Sequence, residues 1–306
     1  MYRHLDELVE AARALGPVRV AIAAAHDPDV IEAMKRAREL GMAEGFYIGN
    51  AHKILELARE ANLEIPTARL VHEPDDASAA RKAIALVRDG TASLLMKGKI
   101  STATLARAVL DRETGLRTGR LLSQVIVFQV PGFNRLMLMS DAAINIAPTL
   151  EQKAEICRNA IEVAHAIGIP RPNVALLCAL EMVNPEMPAT VDAAALVVMN
   201  RRGQIKGAYL EGPIALDAPL SRFAAERKGI ESPIVENTDI FIAPDIEAAN
   251  ILYRAILYFA RGESGGIVYG ARVPLILLSR AETPETKIRS IALAMLVGAH
   301  ARREPA

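Results

Sequence analysis

The chain has 306 residues, of which 51% are hydrophobic and 24% are charged, and its 36 Lys and Arg residues balance its 36 Asp and Glu residues. Without a basic excess, nothing in the composition draws the chain to nucleic acid or to an anionic membrane, and we expect neither partner. The apolar fraction is typical of a globular protein, and the length predicts about two domains.

The start of the chain and its cysteines favour a cytoplasmic protein. Residues 1–15 predict an amphipathic helix rather than a secretory signal, and no apolar run is long enough to span a membrane. Cys157 and Cys178 lie in apolar runs, as reduced cysteines in a core do. We therefore expect a cytoplasmic location.

Helical and strand patterns alternate through the first third of the chain. The predicted helices are 4–15, 28–40, 51–61, 77–89 and 101–110. The predicted strands are 18–24, 45–48 and 93–96. Strands separated by helices need crossover connections, so we expect a mainly parallel sheet.

The pattern changes at 121–140, where two strand-like runs, 123–130 and 135–139, flank a Pro-Gly pair and predict a hairpin. Beyond it, the predicted helices are 150–167, 190–199, 220–228, 246–260 and 285–299. The predicted strands are 174–178, 207–210, 240–243, 266–268 and 273–278. Two α/β segments around an antiparallel insertion predict two domains with a cleft between them.

Several common motifs are missing from the sequence or sit in the wrong context. No Gly-rich dinucleotide or phosphate loop occurs, and the six histidines lack the spacing of a metal site. The G-x-S-x-G match at 262–266 follows a predicted helix, whereas a nucleophilic serine follows a strand. His26 fits a capping or packing role better than a cleft-facing one. Asp239 and Asp245 bracket a strand as cation ligands would, but Asp245 is more simply a helix cap.

Cations and hydroxyls gather at two strand-to-helix junctions. The first junction is the stretch 97–102, followed by Arg107 on the next helix, and the second is Ser279 with Arg280 after the last strand. Helix N-termini with nearby hydroxyls and cations bind anions, and ligands of α/β sheets collect beyond the carboxyl ends of strands. The sequence therefore predicts an anion site.

These junctions belong to a longer set of recognisable segments. They are 96–102, 113–120, 141–145, 183–185, 202–207, 211–217 and 278–281. In this order and spacing they resemble the phosphate acetyl/butyryl transferases over about residues 90–300, and the butyryl-type members most of all.

The resemblance implies an α/β fold of two domains like the isocitrate and isopropylmalate dehydrogenases, with an interdomain cleft. Residues 1–119 and 270–306 would form one discontinuous domain around a second domain, 120–269. The implied reaction is reversible acyl transfer between acyl-CoA, such as butyryl-CoA, and inorganic phosphate. CoA would be a substrate, no cofactor would be bound permanently, and the protein would be a homodimer or higher homo-oligomer.

The resemblance also assigns roles to individual residues. Arg107 and Arg280 match the family's functional arginines, and Arg280 would grip the transferred phosphate with its planar guanidinium. Ser279 would donate a hydrogen bond to the thioester oxygen or the CoA sulfur, in a direct transfer within a ternary complex. The implied CoA-binding residues are Lys97, Gly98, Ser101 and Thr102.

The chain departs from the family pattern at a few positions. Acetyl-type members carry an aspartate where this chain has Thr286, which favours the butyryl type and leaves the general base unassigned. Glu211 and Ala249 stand where butyryl-type members usually have aspartate and glycine, and the methyl of Ala249 could narrow an approach to CoA. The candidates for the base are Glu282, Glu285 and Asp217.

Three alternative functions stay open at this point. The first is a phosphate acetyltransferase, and the second is a non-catalytic relative that binds CoA or acyl phosphate. The third is a metal- and nicotinamide-dependent decarboxylating dehydrogenase on the same architecture. The third would need clustered aspartates, of which only Asp239 and Asp245 give a hint.

Overall fold

A computed structural model describes residues 2–277 and 282–303. Contacts within the chain divide it into two compact units, which we name by their place in the sequence. The terminal unit comprises Asp6–Arg120 and Gly265–Ala306, and the central unit comprises Met1–Leu5 and Leu121–Ser264. The domain boundaries expected from the sequence stay a prediction.

Helices and strands alternate along most of the described chain. The α-helices are α1 Leu5–Ala14, α2 Pro28–Glu39, α3 Ala51–Glu60, α4 Asp76–Arg88, α5 Thr102–Val109, α6 Leu150–Ala166, α7 Pro188–Arg201, α8 Asp217–Leu220, α9 Arg222–Arg227, α10 Ile246–Tyr258 and α11 Pro284–Arg303. The strands are β1 Val18–Ala23, β2 Ala43–Gly49, β3 Leu70–His72, β4 Leu94–Lys97, β5 Ser123–Gln129, β6 Met137–Ser140, β7 Asn173–Leu177, β8 Tyr209–Ile214, β9 Ile240–Ile242, β10 Glu263–Tyr269 and β11 Leu275–Ile276.

The sheet of the terminal unit has the strand order β3-β2-β1-β4-β11-β10. Its first five strands are parallel, and only β10 runs antiparallel to its neighbour. This confirms the mainly parallel sheet predicted for the first third of the chain. Because the five strands point the same way, their carboxyl ends meet at one edge of the sheet, which we call the carboxyl edge.

The strands of the central unit follow the order β5-β6-β9-β7-β8. Strands β5 and β6 pair antiparallel, which confirms the predicted hairpin, and the other neighbours are parallel. One face of this sheet packs with α10 in a core that includes Phe128, Phe241 and Tyr253. Burial of these large apolar side chains is the main favourable term for this unit.

Two predicted elements of the central unit differ from the structure. Strand β8 runs on to Ile214 through Pro213, although proline usually interrupts a strand. Strand β8 lies at the end of its sheet, where a missing backbone N–H leaves no ladder bond unmade. The helix expected at 220–228 is the shorter α9, because Ser221 leaves the helical conformation and caps it, and the short helix α8 precedes it.

The loop after β6 is organised by a single buried carboxylate, that of Asp141. It accepts hydrogen bonds from the backbone N–H groups of Gln124, Ala143, Ile144 and Asn145, and from the Asn145 side chain at 2.6 Å. Burial raises the pKa of Asp141, while these donors act in the opposite direction. The segment 141–145 thus has a structural role that the sequence did not indicate.

Replacement of this carboxylate tests its role in the central unit. We expect Asp141→Ala to lower the free energy of unfolding by about 3 kcal/mol, because four backbone N–H groups and the Asn145 side chain lose a buried acceptor. Asp75→Ala is the control, since the exposed Asp75 caps only helix α4 and its loss costs about 1 kcal/mol. Urea denaturation measures both values, and equal losses would contradict the role given to Asp141.

Candidate active site at the carboxyl edge of the terminal unit

Strands β1, β4 and β11 lie side by side and end together at the carboxyl edge. Ala23 of β1 pairs with Lys97 of β4, and Met96 pairs with Ile276 of β11. Strand β11 leads directly into residues 278–281, so the predicted residues Ser279 and Arg280 lie outside the described residues. The chain enters that segment beside the end of β4.

The backbone of the turn after β4 packs against the end of β1. The N–H of Gly98 donates to Ala23 O and that of Lys99 donates to Ala24 O, both at 2.8 Å. A Cβ atom on Gly98 would lie 2.2 Å from Ala24 O, so no side chain fits there. Gly98 is therefore required by the close approach of two backbones.

The other predicted residues of this stretch hold the turn and begin helix α5. The Lys97 ammonium donates to the carbonyl oxygens of Gly98 and Ile100, each at 3.1 Å. Ser101 caps α5 by accepting from Thr104 N–H at 3.0 Å, and Thr102 is the exposed first residue of the helix. The structure thus brings Lys97, Gly98, Ser101 and Thr102 together at the carboxyl edge.

Arg107 lies on helix α5, as the sequence predicted, at some distance from the carboxyl edge. It is in the last turn of α5, five residues after Thr102, which corresponds to about 8 Å along the helix axis. Its side chain is exposed and has no hydrogen-bond or ion-pair partner among the described residues. Helical side chains lean toward the N-terminus, so the guanidinium can extend back toward the edge.

Two candidates for the general base are engaged in ion pairs. Asp217 belongs to the central unit, and its carboxylate lies 2.6 Å from Lys228 Nζ, a hydrogen bond that lowers the pKa of Asp217. Glu285 lies 2.9 Å from an Arg36 nitrogen, and this bond lowers the pKa of Glu285. A carboxylate with a lowered pKa takes up a proton less readily. Its ion pair therefore makes each of these two residues a poorer general base. The base remains unassigned, with Glu282 still a candidate.

The segment 113–120 docks onto the chain that leads into β11. Thr118 Oγ1 donates to Gly270 O at 2.5 Å, and Arg272 N–H donates to Leu116 O at 2.9 Å. The Arg120 guanidinium lies 5.5 Å from the centre of the Tyr269 ring. These contacts give this recognisable segment a definite structural role beside the strand that precedes Ser279.

Residues considered for metal or nucleophilic chemistry have structural roles. Asp245 caps α10 through Ala248 N–H at 2.8 Å, and Asp239 accepts from Asn173 N–H at 2.8 Å. Among residues 2–277 and 282–303, no three His, Cys, Asp or Glu side chains group closely enough to hold a metal ion. Ser264 is buried and shares a 3.0 Å hydrogen bond with the Tyr253 hydroxyl, which agrees with rejecting it as a nucleophile.

The departures from the family pattern also have local explanations. Ala249 is fully buried in the core of the central unit, so its methyl packs against other side chains there. Thr286 is buried at the start of α11, and its N–H donates to Thr283 Oγ1 at 3.2 Å. Glu211 accepts from the hydroxyls of Tyr209 and Ser232, each at 3.0 Å.

Substitution of Gly98 tests the close approach at the carboxyl edge. We expect Gly98→Ala to lower the free energy of unfolding by about 2 kcal/mol or more, because its methyl would overlap the Ala24 carbonyl. The control is Gly298→Ala in helix α11, where the nearest atom to a new Cβ is 3.7 Å away and alanine favours the helix. Thermal unfolding compares the two, and a harmless Gly98→Ala would disprove the contact.

The chain is similar to characterised proteins along nearly its whole length. A family model described as "Phosphate acetyl/butaryl transferase" matches residues 67–295. The phosphate butyryltransferase of Clostridium acetobutylicum is 42% identical over 97% of this chain and 99% of its own. The phosphate acetyltransferase of Thermotoga maritima is 44% identical over 94% of this chain and 98% of its own.

Among solved structures, the chain is similar to a phosphotransacylase and, in fold only, to a dehydrogenase. A branched-chain phosphotransacylase from Enterococcus faecalis is 32% identical, covers 92% of this chain and 99% of its own, and has a TM-score of 0.80. A 4-hydroxythreonine-4-phosphate dehydrogenase from Klebsiella pneumoniae, 13% identical, covers 92% of this chain and 99% of its own at a TM-score of 0.54. That second likeness concerns the fold alone.

None of the described helices combines the length and the apolar character that crossing a bilayer requires. The matched family model, the full-length relatives and the solved structure agree with the segments recognised in the sequence. This chain belongs to the phosphate acetyl/butyryl transferase family.

Proposed function

We propose that the protein transfers an acyl group reversibly between acyl-CoA and inorganic phosphate, giving acyl phosphate and free CoA, with butyryl-CoA or a similar short chain as the donor. The observation that carries this proposal is the 42% identity to a phosphate butyryltransferase over almost the full length of both chains. The carboxyl edge, where 97–102 meets the strand that leads to Ser279, supports it from the structure.

The reaction brings two anions together, which sets the first requirement on the site. Phosphate and CoA repel each other, so catalysis needs cations that offset this repulsion while leaving the attacking oxygen free. In our proposal Arg280 holds the phosphate through two parallel hydrogen bonds, and Arg107 adds a second positive charge. The unpaired side chain of Arg107 is suited to this role, because no carboxylate among the described residues neutralises it.

The acyl transfer itself is a direct displacement in a ternary complex. A phosphate oxygen attacks the thioester carbonyl carbon, the carbon–sulfur bond breaks, and its electron pair leaves with the CoA sulfur, which then takes up a proton. Ser279 donates a hydrogen bond to the carbonyl oxygen or the sulfur as charge develops there, and is not itself acylated. Correct placement of the two substrates supplies much of the rate enhancement.

Acetyl transfer is the second candidate, favoured by the 44% identity to the Thermotoga maritima phosphate acetyltransferase. Thr286 argues for the butyryl type, because acetyl-type members of the family carry an aspartate at that position. In this chain the Thr286 hydroxyl lies 3.1 Å from that of Thr283, within the start of α11. A threonine there cannot serve as the base that an aspartate could provide.

The proposal includes the wider expectations drawn from the family. CoA acts as a substrate and no permanently bound cofactor is assigned. The active protein is a homodimer or a higher homo-oligomer, and its fold is related to the isocitrate and isopropylmalate dehydrogenases.

A thiol-release assay tests the proposed function. With butyryl-CoA and phosphate we expect release of free CoA that depends on phosphate, and faster turnover than with acetyl-CoA. A thiol reagent follows the release, and reactions without phosphate provide the background. Absence of phosphate-dependent release with every acyl-CoA tried would rule out the proposal, and a preference for acetyl-CoA would select the second candidate.

Substitution of the two arginines tests the assigned phosphate contacts. We expect Arg280→Ala and Arg107→Ala each to lower kcat/KM for phosphate by about 100-fold, because a charged donor to the reacting anion is lost. Arg112→Ala is the matched control, since Arg112 is exposed just beyond α5. Steady-state kinetics at varied phosphate measure the effect, and wild-type values for either variant would remove that arginine from the site.

A further inference from the structure

His26 lies at the carboxyl edge and has no part in the function proposed above. It follows strand β1, where Ala25 N–H donates to Ile48 O at 2.8 Å. The next residue, Asp27, caps helix α2 by accepting from Asp29 N–H at 3.0 Å. Contacts on both sides therefore fix the backbone of this half-buried histidine, and its ring has a defined position at the edge.

The two nitrogens of the His26 ring have different surroundings. Nδ1 is buried and has no hydrogen-bond partner among the described residues. A Cβ atom on Gly49 would lie 2.9 Å from Nδ1, so the ring packs directly against the Gly49 backbone. A buried N–H without an acceptor is costly, which places the hydrogen of the neutral ring on Nε2. Nε2 is then the donor that a ligand can meet.

Burial favours the neutral form of the His26 ring, and the charges around the ring are two of each sign. Burial lowers the pKa of His26, Asp76 and Asp27 oppose this, and Lys53 and Lys99 add to it. A charged ring would also need a hydrogen on Nδ1, where no acceptor is present. His26 therefore offers an uncharged donor among two cations and two carboxylates.

His26 is close to the site proposed for the chemistry. It follows β1, and β11, which leads into Ser279, lies two strands away across β4. Neighbouring strands are about 4.8 Å apart, so the ends of β1 and β11 are separated by about 10 Å. A neutral N–H donor surrounded by equal numbers of positive and negative charges is suited to bind an uncharged carbonyl oxygen. A phosphate dianion is bound best by cations. Acyl-CoA carries such carbonyls in its thioester and in its two amides.

We propose that His26 is a substrate-binding residue that donates a hydrogen bond from Nε2 to a carbonyl oxygen of bound acyl-CoA. This inference rests on the proposed function for the identity of the ligand. It adds a contact for CoA beyond the end of β1, and it assigns to His26 a role in binding CoA and none in binding phosphate.

Calorimetric titration of the full chain with butyryl-CoA in the absence of phosphate tests the contact directly. We expect His26→Ala to raise Kd about 3- to 10-fold, the loss of one uncharged hydrogen bond. His26→Gln keeps an N–H donor and should stay within about twofold of the wild type. The control is His52→Ala, since His52 is exposed on α3. An unchanged Kd for His26→Ala would overturn the inference.

Kinetics and nitrogen NMR separate this inference from the proposed function. His26→Ala should raise KM for butyryl-CoA and leave KM for phosphate within about twofold, and the reverse pattern would contradict the contact. In the wild type at pH 7, the ¹⁵N shifts of His26 should show Nε2–H, and Nδ1–H would overturn the assignment. If the wild type binds butyryl-CoA but releases no free CoA on addition of phosphate, the proposed function is wrong. The role of His26 is then still decided by the calorimetric Kd values.

Discussion

The contact between Gly98 and the end of strand β1 fixes the edge at which the proposed site is built. Two backbone hydrogen bonds of 2.8 Å join the turn after β4 to Ala23 and Ala24, and only glycine allows this approach. The contact lies three residues before Ser101, which caps helix α5, and Arg107 follows in the last turn of that helix. On the other side of β4, strand β11 brings the chain to Ser279 and Arg280. The arrangement at this edge thus depends on the backbone contact at Gly98 and on the pairing of β11 with β4.

The groups at this edge differ in charge, which suits them to bind two different parts of the reactants, the phosphate anion and an uncharged carbonyl of acyl-CoA. Arg280 and Arg107 offset the charge of phosphate in the proposed mechanism, whereas His26 is held neutral by burial and by the lack of an acceptor at Nδ1. Cations favour the anionic reactant, and a neutral donor favours a carbonyl oxygen. The two substrates of one acyl transfer could then bind side by side without competing for the same groups.

Much of the fold of each unit could be predicted from the sequence, because it depends on local patterns. Alternating helix and strand periods predict parallel strands, and the Pro-Gly pair after β5 predicts the hairpin. Strand β8 extends farther than predicted because Pro213 is tolerated at an edge, a fact that depends on strand order. Gly98 owes its role to a contact with the end of β1, and Asp141 owes its role to N–H groups of β5 and of its own loop. A sequence pattern does not specify such contacts. The position of Arg107, about 8 Å along α5, by contrast follows from the predicted helix 101–110.

A crystal structure of the protein with butyryl-CoA bound would show where the acyl donor lies. We expect the thioester beyond the carboxyl ends of β4 and β11, within hydrogen-bond distance of Ser279, with a CoA carbonyl oxygen within about 3 Å of His26 Nε2. A thioester bound at the opposite ends of these strands, or away from the terminal unit altogether, would contradict this expectation.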